Sequence, residues 1–287
     1  MKIAIVSNPK KSEAPHVAER LLSQSSNQQD VHFFLDEFLA ETLHRKELFR
    51  TDDQMNREAD LLIVLGGDGT LLHAIKRLPR TGLPVLGVNL GGMGFLTEFS
   101  ADDFLKIFPE ILKRNFKIEE RLTLQVKHIS EGKKSNPSFE ALNDAVITKG
   151  ALSRMLSLDV YVNEDYLTTY KSDGLIIATP TGSTAHSLSS GGPIVTPNCM
   201  VIILTPICPH TLSNRPLIIS HDQKIRVQLT SSLEMVGLTL DGQVGVELKT
   251  GDWIEIQKGT RSIPLIRFKY NYFEVLRQKL GWRGSAS

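Results

Sequence analysis

The chain has 287 residues, 33 Lys and Arg against 32 Asp and Glu, and a formal net charge of +1. This near-neutral balance excludes a general nucleic-acid surface and leaves room only for a local basic cleft. The length supports a large core and two domains.

The start, Met1–Val6, turns polar at Ser7-Asn8-Pro9, too soon for a signal-peptide core. No later apolar run is long enough to span a bilayer, so no membrane is expected. Ile3–Val6 reads as a short strand, Ala14–Leu22 as a helix with Pro15 near its start, and Val31–Leu35 as a second strand. Glu37–Phe49 reads as a weakly patterned helix. Leu61–Leu65 and Pro84–Val88 are further strands, and Phe104–Leu112 is a helix with Asp102 and Asp103 near its positive end. Such alternation predicts a parallel sheet covered on both faces, a Rossmann-like α/β domain over residues 1–120.

From Leu122 the texture changes. Leu122–His128, Leu156–Val162, Leu167–Tyr170, Leu175–Ala178, Val201–Thr205, Lys224–Leu229, Met235–Leu240, Val244–Leu248 and Trp253–Gln257 all read as strands. Asn163-Glu164-Asp165 and Asp241-Gly242 are hairpin-turn signals between them. Residues 121–267 are therefore expected to form a β-sandwich-like domain. The segment 268–287 turns helical around Tyr272–Leu280 and is expected to return to the first domain, with Gly284–Ser287 a loose tail. Cys199 and Cys208 lack metal-ligand spacing and read as reduced thiols of a cytoplasmic protein.

Four stretches carry chemistry. Gly66-Gly67-Asp68-Gly69-Thr70 follows a buried strand and precedes a helix. Its glycines permit close approach of a ligand, and the helix N-terminus offers N–H groups to an anion. A carboxylate there adds nothing to a simple phosphate cradle, so Asp68 suggests a base, a metal contact or a ribose-hydroxyl acceptor. The plain alternative is a capped turn. Asn89-Leu90-Gly91-Gly92-Met93-Gly94-Phe95 is a second glycine loop at a strand end, where open α/β sheets bind ligands, or else a linker. Asn143-Asp144 lies inside the strand-like run Phe139–Thr148. Two adjacent strand residues point to opposite faces, so both serve one site only if a bend re-aims one of them. Ser172-Asp173-Gly174 through Pro193 is rich in small hydroxylic residues and glycine. It could grip a nucleotide with N–H groups and hydroxyls, with His186 stacking on a base, or it could be a surface loop. Lys171 and Arg154 could neutralise phosphates, though each alone reads as a solvated cation.

Together these residues resemble the NAD kinase family over nearly the whole chain. The specific parts are Gly66–Thr70, Asn143-Asp144, Asp173–Pro193 and Leu240-Asp241-Gly242-Gln243. The resemblance implies Mg²⁺-dependent transfer of the ATP γ-phosphoryl group to the 2′-hydroxyl of the adenosine ribose of NAD, giving NADP. It implies that Asp68 accepts the proton, that Gly69 and His73 line the NAD site, and that Asn143 and Asp144 hold ribose or amide groups. It places Arg154, Lys171 and Asp173 against the dinucleotide. Thr184, Ala185, His186, Ser187, Leu188 and Ser189 would wrap the adenosine, and Gln243 would close the site. It also implies a homo-oligomer, dimer or tetramer, and a divalent cation that arrives with ATP rather than in a protein cage. His186 stands where the family usually has Tyr, Asp144 where Glu is common, and His73 where Arg is frequent. A lipid or sugar kinase sharing the glycine turn and a non-catalytic dinucleotide-binding module are the alternatives.

Overall fold

The computed structural model describes every residue except 27, 93, 131–136, 151–153, 212, 232–234, 269–270 and 283–287. The expected tail Gly284–Ser287 and the loop residue Met93 therefore lie outside the described residues. The chain forms two units, Met1–Glu120 with Ile263–Ser287, and Arg121–Ser262.

In chain order the first part comprises β1 (Lys2–Ser7), α1 (Glu13–Gln24), β2 (His32–Leu35), α2 (Glu37–Thr42), α3 (Asp52–Glu58), β3 (Leu61–Gly66) and α4 (Asp68–Arg77). It continues with β4 (Val85–Asn89), β5 (Phe99–Ser100), α5 (Ala101–Leu112) and β6 (Lys117–Arg121). Then come β7 (Leu124–Ile129), β8 (Ser138–Ala141), β9 (Asp144–Lys149), β10 (Leu156–Val162), β11 (Asp165–Ser172), β12 (Gly174–Ala178) and the one-turn α6 (His186–Ser189). The antiparallel series closes with β13 (Val201–Ile207), β14 (Leu217–Ser220), β15 (Ile225–Leu229), β16 (Val236–Leu240), β17 (Val244–Leu248) and β18 (Trp253–Lys258). Last are β19 (Ile263–Arg267) and α7 (Tyr272–Leu280).

Sheet one has seven strands in the order β2-β1-β3-β4-β19-β6, with β5 also on β4. The pairs β1–β2, β1–β3, β3–β4 and β4–β19 are parallel. The core strands are uninterrupted apolar runs because both faces are covered. Ile3, Ile5, Ile63, Leu65 and Val88 pack in one cluster with Val17 and Leu21 of α1 and Phe104 and Phe108 of α5. Ala4, Val6, Leu62 and Val64 are buried on the opposite face, where α4 packs against β3.

The second unit holds two antiparallel six-stranded sheets, β11-β10-β15-β18-β7-β8 and β14-β13-β12-β9-β16-β17. Their inner faces share one core, in which Leu158, Val227 and Ile254 of one sheet meet Ile147, Ile177, Leu204 and Leu238 of the other. This is a sandwich, as the strand-rich texture predicts. The outer face of the β9–β12–β13 region is also buried: Val195 packs there with Val146, Ile176, Ala178 and Ile203.

Several sequence expectations are corrected. The helix expected over Glu37–Phe49 stops at Thr42; His44 takes a left-handed φ of 55° and a short 3-10 turn follows at Lys46–Leu48. Polar α3 has only Met55 buried and gave too weak a periodic signal to be read. The strand expected over Leu122–His128 is β7, which starts slightly later, at Leu124, in the sandwich; β6, ending at Arg121 in sheet one, precedes it as an additional strand. Short β14 was not expected. The chain rejoins sheet one already at Ile263 through β19, ahead of the helix, rather than at Phe268. The apolar run Phe139–Thr148 breaks at Leu142-Asn143, so β8 and β9 belong to different sheets.

Candidate functional site

The glycine turn is tighter than its sequence implies. β3 runs through Gly66, Gly67 alone is the cap, and Asp68 is already the first helical residue of α4. The glycines serve different ends. A side chain at Gly66 would collide with Thr70, and one at Gly94 would collide with the Asp68 carboxylate. At Gly67 and Gly69 an added Cβ meets nothing within 4 Å. Packing within the protein therefore does not require glycine at those two positions, and the open space beside them leaves the backbone accessible to a ligand.

Asp68 is held from the second glycine loop. Its carboxylate accepts the N–H of Phe95 at 2.8 Å, of Leu96 at 3.1 Å and of Thr97 at 3.3 Å. Three main-chain donors give it one orientation. The segment that supplies them is braced in turn: buried Arg267 on β19 donates to the carbonyls of Leu96 at 3.1 Å and Phe95 at 3.3 Å. The neighbouring strand ends add polar groups to the same edge. Asn8, just beyond β1, donates to Thr70 Oγ1 at 3.3 Å, and Asn89, ending β4, donates to the Gly92 carbonyl. These groups all sit at the C-terminal ends of parallel strands, where such sheets bind ligands. Buried Asp36 ties the end of β1 by accepting the Ser7 N–H at 2.6 Å while capping α2 through Leu39. Burial raises its pKa, opposed by these hydrogen bonds.

In the sandwich unit a cavity of about 310 Å³ is lined by Asn143, Asp144, Val146, Thr148, Ala185, His186, Thr239, Asp241 and Gly242. Its size and mixed polar and apolar lining suit a nucleoside-sized group. Asn143 and Asp144 reach one site because the chain turns a corner there, leaving β8 and entering β9. Asp144 is 4 % exposed, and burial, with the nearby Asp241 charge, pushes its carboxyl up to about 7. The Thr179–Gly192 stretch supports this corner. Thr179 Oγ1 donates to the Leu142 carbonyl at 2.6 Å, and the Thr179 N–H donates to the Asn143 carbonyl at 2.9 Å. Gly182 lies so close to Asn143 that a side chain would strike its backbone.

Much of the hydroxyl content expected to grip a nucleotide serves the loop itself. Ser183 Oγ bridges Pro180 and Val195, and Ser187 Oγ lies 2.9 Å from Thr205 Oγ1, fully buried. Thr184 Oγ1 donates to the Thr181 carbonyl at 3.3 Å. The accessible groups are Thr184 and Ala185 in part, His186 and Ser189 on the surface, with Leu188 half-buried.

Models of the ATP-NAD kinase N-terminal domain and C-terminal domain match residues 3–116 and 142–268. The chain belongs to the NAD kinase family. It is 47% identical over 234 residues to the NAD kinase of Trichlorobacter lovleyi, covering 81% of this chain and 82% of that one. It is 42% identical to the NAD kinase of a Geobacter species (strain M21), over 98% of both chains. The crystal structure of yeast NADH kinase complexed with NADH superposes with a TM-score of 0.92 at 29% identity, covering 100% of this chain and 89% of that one. An Archaeoglobus fulgidus NAD kinase in complex with ATP shares the fold, with a TM-score of 0.76 at 24% identity over 99% of this chain and 100% of its own. Nothing favours a lipid or sugar kinase or a non-catalytic module.

Within this NAD kinase architecture the expected site residues fall into groups. Gly69 and His73 are both exposed and one helical turn apart on α4, so they share a face. Asn143, Asp144, Ala185 and His186 line the sandwich cavity. Lys171 and Arg154 are exposed, Gln243 is exposed on the β16–β17 turn, and Asp173 is paired with Lys149 at 3.1 Å; none of these four lines that cavity. Asp241, read in the sequence as a hairpin-turn signal and as part of a motif but not as a site residue, lines it. Its partners lie 97 to 99 positions away, beyond any local pattern. A Ser130–His128–Asp252 grouping elsewhere in the sandwich, with His128 and Asp252 buried and Ser130 half-buried, is structural: both oxygens meet the same His128 Nε2, at 3.0 and 2.7 Å. A relay would use both ring nitrogens.

Proposed function

We propose that this NAD kinase transfers the γ-phosphoryl group of ATP to the 2′-hydroxyl of the adenosine ribose of NAD. The observation that carries the reading is Asp68, oriented by three main-chain donors at the N-terminus of α4 and flanked by Gly67 and Gly69, which face open space. Phosphoryl transfer asks for positioning and charge neutralisation more than covalent help. Asp68 accepts the hydroxyl proton, and the turn N–H groups offset phosphate charge. Asn143 and Asp144 take the ribose or amide groups, and His186, with Thr184, Ala185, Ser187, Leu188 and Ser189 around it, takes the adenosine. Gly69 and His73 line the NAD site. Arg154, Lys171 and Asp173 meet the dinucleotide, and Gln243 closes over it.

Among the described residues no group of three or more His, Cys, Asp or Glu could hold a metal ion. A divalent cation such as Mg²⁺, arriving on the ATP phosphates, would offset their charge. Both cysteines are free, which supports a reducing, cytoplasmic setting. No helix among the described residues is long and apolar enough to cross a membrane. Exposed Ile218 on edge strand β14 and exposed Met200 support a homo-oligomer, to be read by light scattering.

The test is NADP formation from NAD and ATP with Mg²⁺, repeated with NADH, with polyphosphate and after chelation. NADP that appears with ATP and vanishes on chelation is the expected result. Asp68→Asn should lower kcat by about a hundredfold or more. Near-wild-type turnover in that variant would remove the base assignment.

A further inference from the structure

The corner that presents Asn143 and Asp144 is held by one side chain from another strand pair. Asp241 sits in the turn between β16 and β17. Its carboxylate accepts the N–H of Leu142 at 2.9 Å, of Asn143 at 2.7 Å and of Asp144 at 3.2 Å. Its own N–H donates to the Asp144 carbonyl at 3.0 Å. Consecutive main-chain donors left without an acceptor would be costly at a half-buried corner, so this carboxylate sets the local backbone path. The turn is built to place it: Asp241 and Gly242 have φ of 50° and 67°, and the Gln243 N–H closes back on the Leu240 carbonyl at 3.0 Å. That is a β-turn over Leu240–Gln243 whose two central residues both have positive φ, a geometry that suits Asp-Gly.

We propose that Asp241 is a positioning residue for the dinucleotide, acting through the Leu142–Asp144 corner that it clamps. The proposal rests on the reading that Asn143 and Asp144 meet NAD. A purely structural role would need only the hydrogen bonds. The Asp241 charge does more, because it is one of the two causes that raise the Asp144 carboxyl, burial being the larger. The titratable groups lining the cavity are Asp144 and Asp241 from the corner and its clamp, and His186 from α6. An ionised Asp144 is the better acceptor for ligand hydroxyl or amide donors. The KM for NAD is therefore expected to fall as pH rises through about 7.

The experiment compares wild type, Asp241→Asn and Asp241→Gly. Both replacements tolerate a left-handed backbone, so at least one folded variant is expected, checked by circular dichroism. Asp241→Asn should raise the KM for NAD about tenfold while kcat and the KM for ATP stay within about threefold. Its KM–pH inflection should move to lower pH, since the neighbouring charge is gone. Calorimetric NAD binding to each protein, without ATP, gives the same comparison free of turnover. Unchanged NAD affinity and an unmoved inflection in the folded variants overturn the proposal, as does an equal loss in the KM for ATP. A wild-type protein that binds no NAD overturns instead the reading on which the proposal rests.

Discussion

Asp144 is buried at a cost to the fold. The native state keeps its proton up to about pH 7, whereas an unfolded chain releases it near the ordinary value of 3.8. Between those limits the native state binds the extra proton, so this residue's contribution to stability falls as pH rises. The full span corresponds to roughly 4 kcal/mol at most, at about 1.4 kcal/mol per pK unit. Asp144→Asn should therefore raise the melting temperature at pH 8 and leave it little changed at pH 4, while weakening NAD binding at pH 8. Scanning calorimetry at the two pH values checks this. Asp252 has the opposite sign. Burial opposes its ionisation, but hydrogen bonds from Lys249, His128 and Ser130 prevail and hold its pKa down. That contribution is present above the ordinary carboxyl range and lost as pH falls through the lowered value. Gly69 makes a similar contrast between stability and use. Alanine there meets nothing within 4 Å and is the better helix former by about 1 kcal/mol. Gly69→Ala should thus stabilise the protein slightly and still lose at least tenfold in kcat/KM, by crowding the ligand. An unaltered kcat/KM would show that the open space is not used.

At the scale of elements, apolar continuity makes β1, β3 and β12 readable, because burial on both faces dictates their composition, and period-two alternation does the same for β10. It failed where burial is slight: α3 buries only Met55, and β6 reads Lys-Ile-Glu-Glu-Arg. It also misled where a single apolar run serves two sheets. Phe139–Thr148 looks like one strand, and the break at Leu142-Asn143 depends on Asp241, which no local pattern shows. The strand–turn–helix after β3 is legible from five residues, but not the clamp on Asp68, since Phe95–Thr97 lie 27 to 29 residues away. Nor could sequence separate hydroxyls that brace the Thr179–Gly192 loop from those that face outward. Strand β19 matters here for more than the sheet it completes. Arg267→Met should leave its apolar stem in place yet release the Phe95 and Leu96 carbonyls, lowering kcat more than it raises the KM for NAD. Steady-state kinetics distinguishes that from a general loss of folded protein, which would scale kcat alone with active-site titre.

As a whole molecule, the chain combines a continuous unit with a discontinuous one. Residues 121–262 own a closed core shared by two sheets, so that fragment should melt cooperatively with a β-type spectrum. The first unit needs its last strand, because β19 lies between β4 and β6. Removing 263–287 should leave 1–120 open to limited proteolysis while 121–262 stays resistant. Protection of both halves in the truncated chain would count against this division.

The position of β19 has a consequence in time. A ribosome delivers the glycine turn and its carboxylate some two hundred residues before the arginine that steadies the loop around it. At ordinary synthesis rates, about 5–20 residues per second, that interval lasts on the order of ten seconds or more. A nascent chain therefore carries the proposed catalytic turn without its brace until β19 emerges. Competence to phosphorylate should in this sense wait on the emergence of β19, and a product terminated ahead of that strand should be inert toward the dinucleotide pool.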